Sequence, residues 1–229
     1  MTRRCLLSCL PCLVACLLLL LGQGGALAAR GEWPGRLDVH AVERALAGTG
    51  FRVESLLRRH ERAGQGGPFV PEAAGDLAPD RADRLNRALR VLPLAAPLVQ
   101  YEVSSGFGRR RDPVNKRRAM HAGIDLRAPL RAEVMATAPG RVTFAGRRGG
   151  YGRIVEIDHG LGVRTRYAHL SRISVRVGQQ VVLGARVGLV GTSGRSTGPH
   201  LHYEVLVDGR ARNPQPFLRA GQRLRVAGN

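Results

Sequence analysis

The sequence predicts a mainly β protein: a small antiparallel sheet domain with a short helical segment before it. Three observations support this. From Gln100 onward, short β-type runs alternate with glycines, and no long helical pattern separates them. Residues 29 to about 96 instead carry apolar residues at helical spacing. The chain has 229 residues, enough for one ordinary domain plus extras.

The first 28 residues stand apart. Arg3 and Arg4 precede an apolar run from Cys5 to Leu21, and small residues follow, ending in Ala26-Leu27-Ala28. A basic region, an apolar region and an A-x-A site together describe a secretory signal peptide, cleaved after Ala28. The competing reading is an uncleaved anchor, but the run is near the lower limit of roughly 17–25 residues for a span. Cleavage would leave no stable membrane span and an exported protein of the periplasm or cell envelope. All four cysteines lie here (Cys5, Cys9, Cys12, Cys16). Leu13-Val14-Ala15-Cys16 resembles a lipoprotein box, yet the apolar run continues past it to Leu21, which argues against lipidation. The mature chain would then have no disulfide, and any metal would be held by His, Asp or Glu.

Between residues 29 and 96, Leu37–Leu46, Phe51–Arg62 and Asp80–Leu92 read as short helices. Gly64–Pro68 interrupts them, and Pro93 and Pro97 end the pattern. His40 and His60 are expected on the helix surfaces. No catalytic cluster occurs in this segment, so a domain starting near Leu98 is expected to fold and to contain the chemistry. The clearest strands beyond it are Arg141–Gly146, Arg153–Asp158, Val163–Leu170, Val187–Gly191 and Leu201–Val207. Asp158–Gly162 reads as the hairpin turn between two of them, with His159 a structural residue in that turn.

Formal net charge is +19. The excess is local: 23 of the 36 Lys and Arg, but only 8 of the 17 Asp and Glu, lie at or beyond Pro97. An exported polycation meets anionic envelope polymers and headgroups. Nucleic acid is the usual partner of such a charge, but the signal segment and the lack of aromatics among the basic runs argue against it.

The chemistry begins with "GPHLHYEV". Side chains alternate across a strand, so His200 and His202 share a face, with Glu204 next in line. Glu204 is either an outer acceptor for one ring or a solvated carboxylate. "HAGID" puts His121 and Asp125 four residues apart, and Gly123, Ala128 and Pro129 favour strand or loop over helix. "RYAHL" places His169 at a strand end. A catalytic zinc site takes three N or O ligands and keeps one open position, so five candidates leave two groups for proton handling.

"SGFGRRRDP", "HAGIDL", "YAHLS" and "GPHLHYEV", in that order, resemble the lysostaphin-type (LytM-like) zinc endopeptidases of bacterial cell walls, over about Ser104 to Phe217. The resemblance implies an antiparallel β-sheet zinc peptidase domain at about 97–220, with 221–229 as a tail. It implies Zn2+ bound by His121, Asp125 and His202, and His169 and His200 as the catalytic histidines. It implies peptidoglycan peptide cross-links as substrate. The D-alanyl–diaminopimelate bond is expected from the segments' likeness to general cross-link endopeptidases rather than glycine-bridge specialists. The alternative is a non-catalytic module of the same fold that activates another hydrolase; such modules typically lack the ligands that are present here. Arg109–Arg111 are expected to flank the substrate, and Thr192–Pro199 to form a flexible cleft wall.

Overall fold

The computed structural model describes residues 39–47, scattered positions between 52 and 86, and 89–227 apart from 112–116. The signal segment, the glycine break at 64–68 and His60 lie outside the described residues. Among the described residues, thirteen strands follow helix α1 (Val39–Leu46) in chain order: β1 (Glu102–Ser105), β2 (Gly108–Arg111), β3 (Arg118–His121), β4 (Ile124–Arg127), β5 (Glu133–Met135), β6 (Gly140–Arg148), β7 (Gly152–Gly160), β8 (Val163–Leu170), β9 (Arg172–Ile173), β10 (Gln180–Val181), β11 (Arg186–Leu189), β12 (His200–Val207) and β13 (Arg210–Arg212). Helix α2 (Gln215–Ala227) closes the fold.

The main sheet runs β1-β4-β12-β8-β7-β6-β10, with β13 paired to β12. Strands β5-β11-β9 and β2-β3 form two small sheets, and every pairing is antiparallel. The period of two explains how this sheet holds both a core and a site. On β12, Leu201, Tyr203 and Val205 point to one face and join Ile124, Leu126, Tyr167, Val155 and Ile157 in the core. His200, His202 and Glu204 point to the other.

The expected strands are all present. The hairpin turn is shorter than the sequence suggests: β7 continues to Gly160, which pairs with Val163. Leu161 (φ 53°) and Gly162 (φ 78°) make the turn, the two positive φ values that suit the twist of the strands. His159 is therefore a strand residue. It is buried, with Nδ1 2.6 Å from the Pro139 carbonyl and Nε2 2.8 Å from Thr165 Oγ1.

The helical segment packs into the same core as the sheet. Val42 and Leu46 on α1, together with Leu89, Leu92, Leu94 and Leu98, are buried with Phe217 and Leu218 of α2. Gly221 lies against the Leu94 backbone so closely that a Cβ there would stand 1.7 Å from the carbonyl oxygen. Helix α2 passes through residue 220, and a chain starting near Leu98 would uncover its apolar face. His40 is on the exposed side of α1, beside Glu43. Among the described residues, no helix is long and apolar enough to cross a membrane.

Candidate metal centre

Three strand positions bring the site together. In the β4–β12 register, His202 pairs directly with Asp125 and His200 with Arg127. Directly opposed residues on one sheet face have their Cβ atoms about 4.5–5.5 Å apart, which brings His202 to the carboxylate. His121 ends β3, and the chain bends through Ala122-Gly123 into β4. Gly123 makes that bend possible, because a Cβ there would lie 2.3 Å from the Tyr203 carbonyl oxygen.

The resulting atoms converge. His121 Nε2 is 3.1 Å from Asp125 Oδ1 and 3.1 Å from His202 Nδ1, and His202 Nδ1 is 2.9 Å from Asp125 Oδ1. The outer nitrogens are bonded elsewhere. His121 Nδ1 donates to the Gly106 carbonyl at 2.6 Å. His202 Nε2 donates to Glu204 Oε1 at 2.9 Å. A neutral ring holds one N–H, so in their neutral forms both rings turn inner lone pairs toward the carboxylate. Three acceptors facing one another, two of them on buried histidines, call for positive charge between them. The spacing suits a cation: bonds of about 2.05 Å in a tetrahedron put ligand atoms about 3.3 Å apart. Among the described residues this is the only His, Cys, Asp and Glu group able to hold a metal.

The ionisation of the site shows the same need for positive charge, which a second proton on a ring meets as a cation would. Burial opposes ionisation of Asp125, but bonds to His121 and His202 and their charges outweigh it and hold the carboxyl far below the ordinary range. Burial likewise opposes protonation of His202, and its bonds to Asp125 and Glu204 reverse that, raising its pKa.

His169 and His200 flank this centre. Their rings are 4.8 Å apart, and His169 is 5.8 Å from the His202 ring. His169 has φ 60°, unusual for a residue with a side chain. The strain is held by Ser193: its carbonyl accepts from His169 Nδ1 at 2.8 Å, and its hydroxyl donates to the Leu170 carbonyl. Burial then pushes His169 down to about 4, so the ring is neutral at ordinary pH with Nε2 bare. His200 Nδ1 donates to the Gly198 carbonyl at 2.8 Å. Its Nε2 faces Asp125 Oδ1 at 3.8 Å.

Two clefts meet at the centre. One, of about 340 Å³, is lined by His121, Tyr151, His169, Ser196, His200 and His202 among others. The other, of about 780 Å³, runs along Gln100–Glu102 and Ala128–Leu130. Arg110, Asp125, Thr197 and His200 line both. An extended chain laid through both clefts would cross the candidate metal site.

Residues 119–214 match the model of peptidase family M23. The chain is 50% identical over 118 residues to the DD-carboxypeptidase/endopeptidase Mpg of Neisseria meningitidis serogroup B, covering 52% of this chain and 27% of that protein. It is 43% identical over 132 residues to the peptidoglycan DD-endopeptidase ShyA of Vibrio cholerae, covering 57% of this chain and 30% of that protein. The catalytic domain of lysostaphin from Staphylococcus simulans aligns at 33% identity over 52% of this chain and 92% of that domain, with TM-score 0.48.

The chain belongs to peptidase family M23.

The matched stretch spans less than a third of those two curated relatives. In this M23 chain all five histidine and aspartate candidates lie in one cleft. Of the arginine run, Arg110 turns to the site and pairs with Asp125 Oδ2 at 3.4 Å. Arg109 is exposed, as alternation on β2 requires. The 192–199 loop is a cleft wall, and hydrogen bonds pin it to β7 and β8: Arg153 N donates to Ser193 Oγ, and Ser193 closes on His169 and Leu170. Glu204 is only 1% exposed, so its reading as a solvated carboxylate is wrong. Sequence reasoning missed Ser193 and Tyr151. No spacing marks them, because they reach the site from other elements.

Proposed function

We propose that this chain is a zinc-dependent endopeptidase hydrolysing peptide cross-links of bacterial peptidoglycan, at the D-alanyl–diaminopimelate bond. The carrying observation is the set of three inward-facing acceptors with two further histidines beside it. His121 Nε2, Asp125 Oδ1 and His202 Nδ1 would hold the metal. Bound there, zinc supplies Lewis acidity toward a scissile carbonyl and toward water.

His169 and His200 are the proton-handling pair. Each has Nδ1 committed to a backbone carbonyl, which aims Nε2 into the cleft. One can accept a proton from the attacking water; the other, as a donor, can assist the developing oxyanion or the leaving amine. The two adjoining clefts suit an extended peptide on both sides of the bond. The bond assignment draws support from the names of the two curated relatives, one a DD-carboxypeptidase/endopeptidase and one a peptidoglycan DD-endopeptidase. The N-terminal sequence supports export to the periplasm or envelope. The excess of Lys and Arg beyond Pro97 supports attraction to anionic envelope polymers.

The test is incubation of purified cross-linked muropeptide dimers with the mature chain and zinc, with and without a chelator. Chelator-sensitive release of monomers is expected. Intact dimers beside cleaved pentaglycine would overturn the bond assignment, and zinc-independent cleavage would overturn the metal assignment.

A further inference from the structure

Glu204 is a buried carboxylate with three hydrogen-bond partners. It is 1% exposed, on the same face of β12 as His200 and His202. Its Oε1 accepts from His202 Nε2 at 2.9 Å and from the Tyr151 hydroxyl at 2.8 Å. Its Oε2 accepts from Arg166 Nη1 at 3.2 Å. Arg166 lies on β8, the strand beside β12, in register with Glu204. Its Nε is tied in turn to Glu156 Oε2 at 2.6 Å, and Glu156 also meets Arg148 and Arg164. An unbroken polar chain therefore runs from the candidate metal ligand through a buried carboxylate to the arginines at the rim.

Each link removes a degree of freedom. An imidazole can present either nitrogen, and which one is bare is decided by what the other donates to. Asp125 Oδ1, 2.9 Å from His202 Nδ1, is a rival acceptor for the ring proton, and only when a cation engages that carboxylate does Glu204 alone instruct the ring. A carboxylate can only accept, so Glu204 demands an N–H at Nε2 and leaves Nδ1 bare. The carboxylate is itself fixed from two other elements: Tyr151 in the 3₁₀ turn Gly149–Tyr151 and Arg166 on β8. Rotation of Glu204 away from His202 would break both bonds at once.

We infer that Glu204, held by Arg166 and Tyr151, is the positioning residue that sets His202 in its Nδ1-coordinating tautomer and so tunes the metal affinity of this site. The inference rests on the metal site of the proposed function. Partners of this kind, behind a metal-binding histidine, typically change affinity or activity 10–100-fold when removed.

The test is zinc affinity of the full mature chain by chelator competition, in wild type, Glu204→Gln, Glu204→Ala and Arg166→Met, with the visible spectrum of the cobalt-substituted forms as the second readout. Glutamine keeps the side-chain shape and one acceptor, so Glu204→Gln is expected to fold and to bind zinc about 10-fold more weakly. Glu204→Ala should fall toward ~100-fold, with shifted cobalt bands. Arg166→Met touches no ligand and should still weaken zinc several-fold. Melting of the metal-free proteins checks that each variant is folded. Wild-type affinity and an unshifted cobalt spectrum in folded Glu204→Gln and Arg166→Met would overturn the inference while leaving the zinc site intact. A wild-type chain that binds no zinc would overturn the metal site itself, and the inference with it.

Discussion

His159 gives the sharpest test of the fold. It is 6% exposed, and burial pushes its pKa down to about 4 despite the Pro139 carbonyl it donates to. In the unfolded chain it titrates at about 6.5. Between these values the unfolded state binds a proton that the folded state refuses. Stability is therefore fully present above about pH 6.5 and is lost as pH falls toward 4. The complete shift corresponds to roughly 3 kcal/mol, and the part lost between pH 8 and pH 5 is about 2 kcal/mol. His159→Asn keeps a donor for Pro139 and cannot titrate. It should be less stable than wild type at pH 8, because the Thr165 contact is gone, but its stability should fall less on acidification. Urea unfolding of both metal-free proteins at pH 8 and pH 5 measures this. The drop should be about 2 kcal/mol smaller in the variant. Equal drops would mean that His159 takes up its proton in the folded state, and the burial argument would fail.

Other expected outcomes follow from the site. His121→Ala, Asp125→Ala and His202→Ala should lose zinc and cleavage together, whereas His169→Ala and His200→Ala should keep zinc and lose ~10²–10⁴-fold in turnover. Metal analysis beside muropeptide cleavage separates the classes, and zinc lost in His200→Ala but kept in His202→Ala would reverse the ligand assignment. Gly191→Ala would place a Cβ 2.3 Å from Ser171 N and 2.7 Å from the His169 carbonyl oxygen. The backbone that holds His169 must then shift, at roughly 1–3 kcal/mol by denaturant unfolding and with reduced turnover. A wild-type melting curve would refute that close approach. Binding of the mature chain to wall sacculi should weaken steeply with salt, because exposed charges are screened within about 8 Å at physiological ionic strength. Cleavage of a small soluble substrate should respond much less, and equal salt sensitivity would place the arginines in the chemistry itself.

Much of the fold was legible because the strand period is short and local. Val163–Leu170 is the observed β8 residue for residue, and His200, His202 and Glu204 fall on one face as alternation demands. The turn at Leu161-Gly162 was blurred, because Asp158, Gly160 and Gly162 all read as turn residues, and only the pairing of Gly160 with Val163 assigns the first two to the strand. Of the helices expected at 29–96, Leu37–Leu46 is the observed α1, Val39–Leu46, while Phe51–Arg62 and Asp80–Leu92 fall mostly outside the described residues. The burial of Val42, Leu46 and Leu94 was not legible, because contacts such as Leu94 on Gly221 join positions far apart in the chain.

The sequence by itself determined which side chains could do the chemistry: two histidines in register on a strand, an aspartate four residues from a third histidine, and a fourth histidine at a strand end. Period-two geometry needs no partner to put His200 and His202 on the same face. What it leaves open is which of the two meets the carboxylate, and that was supplied only by resemblance. Tertiary structure decides it through register: β12 pairs with β4 so that His202, not His200, stands opposite Asp125. Residues that act by distance rather than by spacing were decided there too. Ser193 clamps a strained His169, and Tyr151 and Arg166 converge on Glu204 from separate elements. A hydrogen bond depends on where two atoms lie, and only the packed sheet brings these strands together.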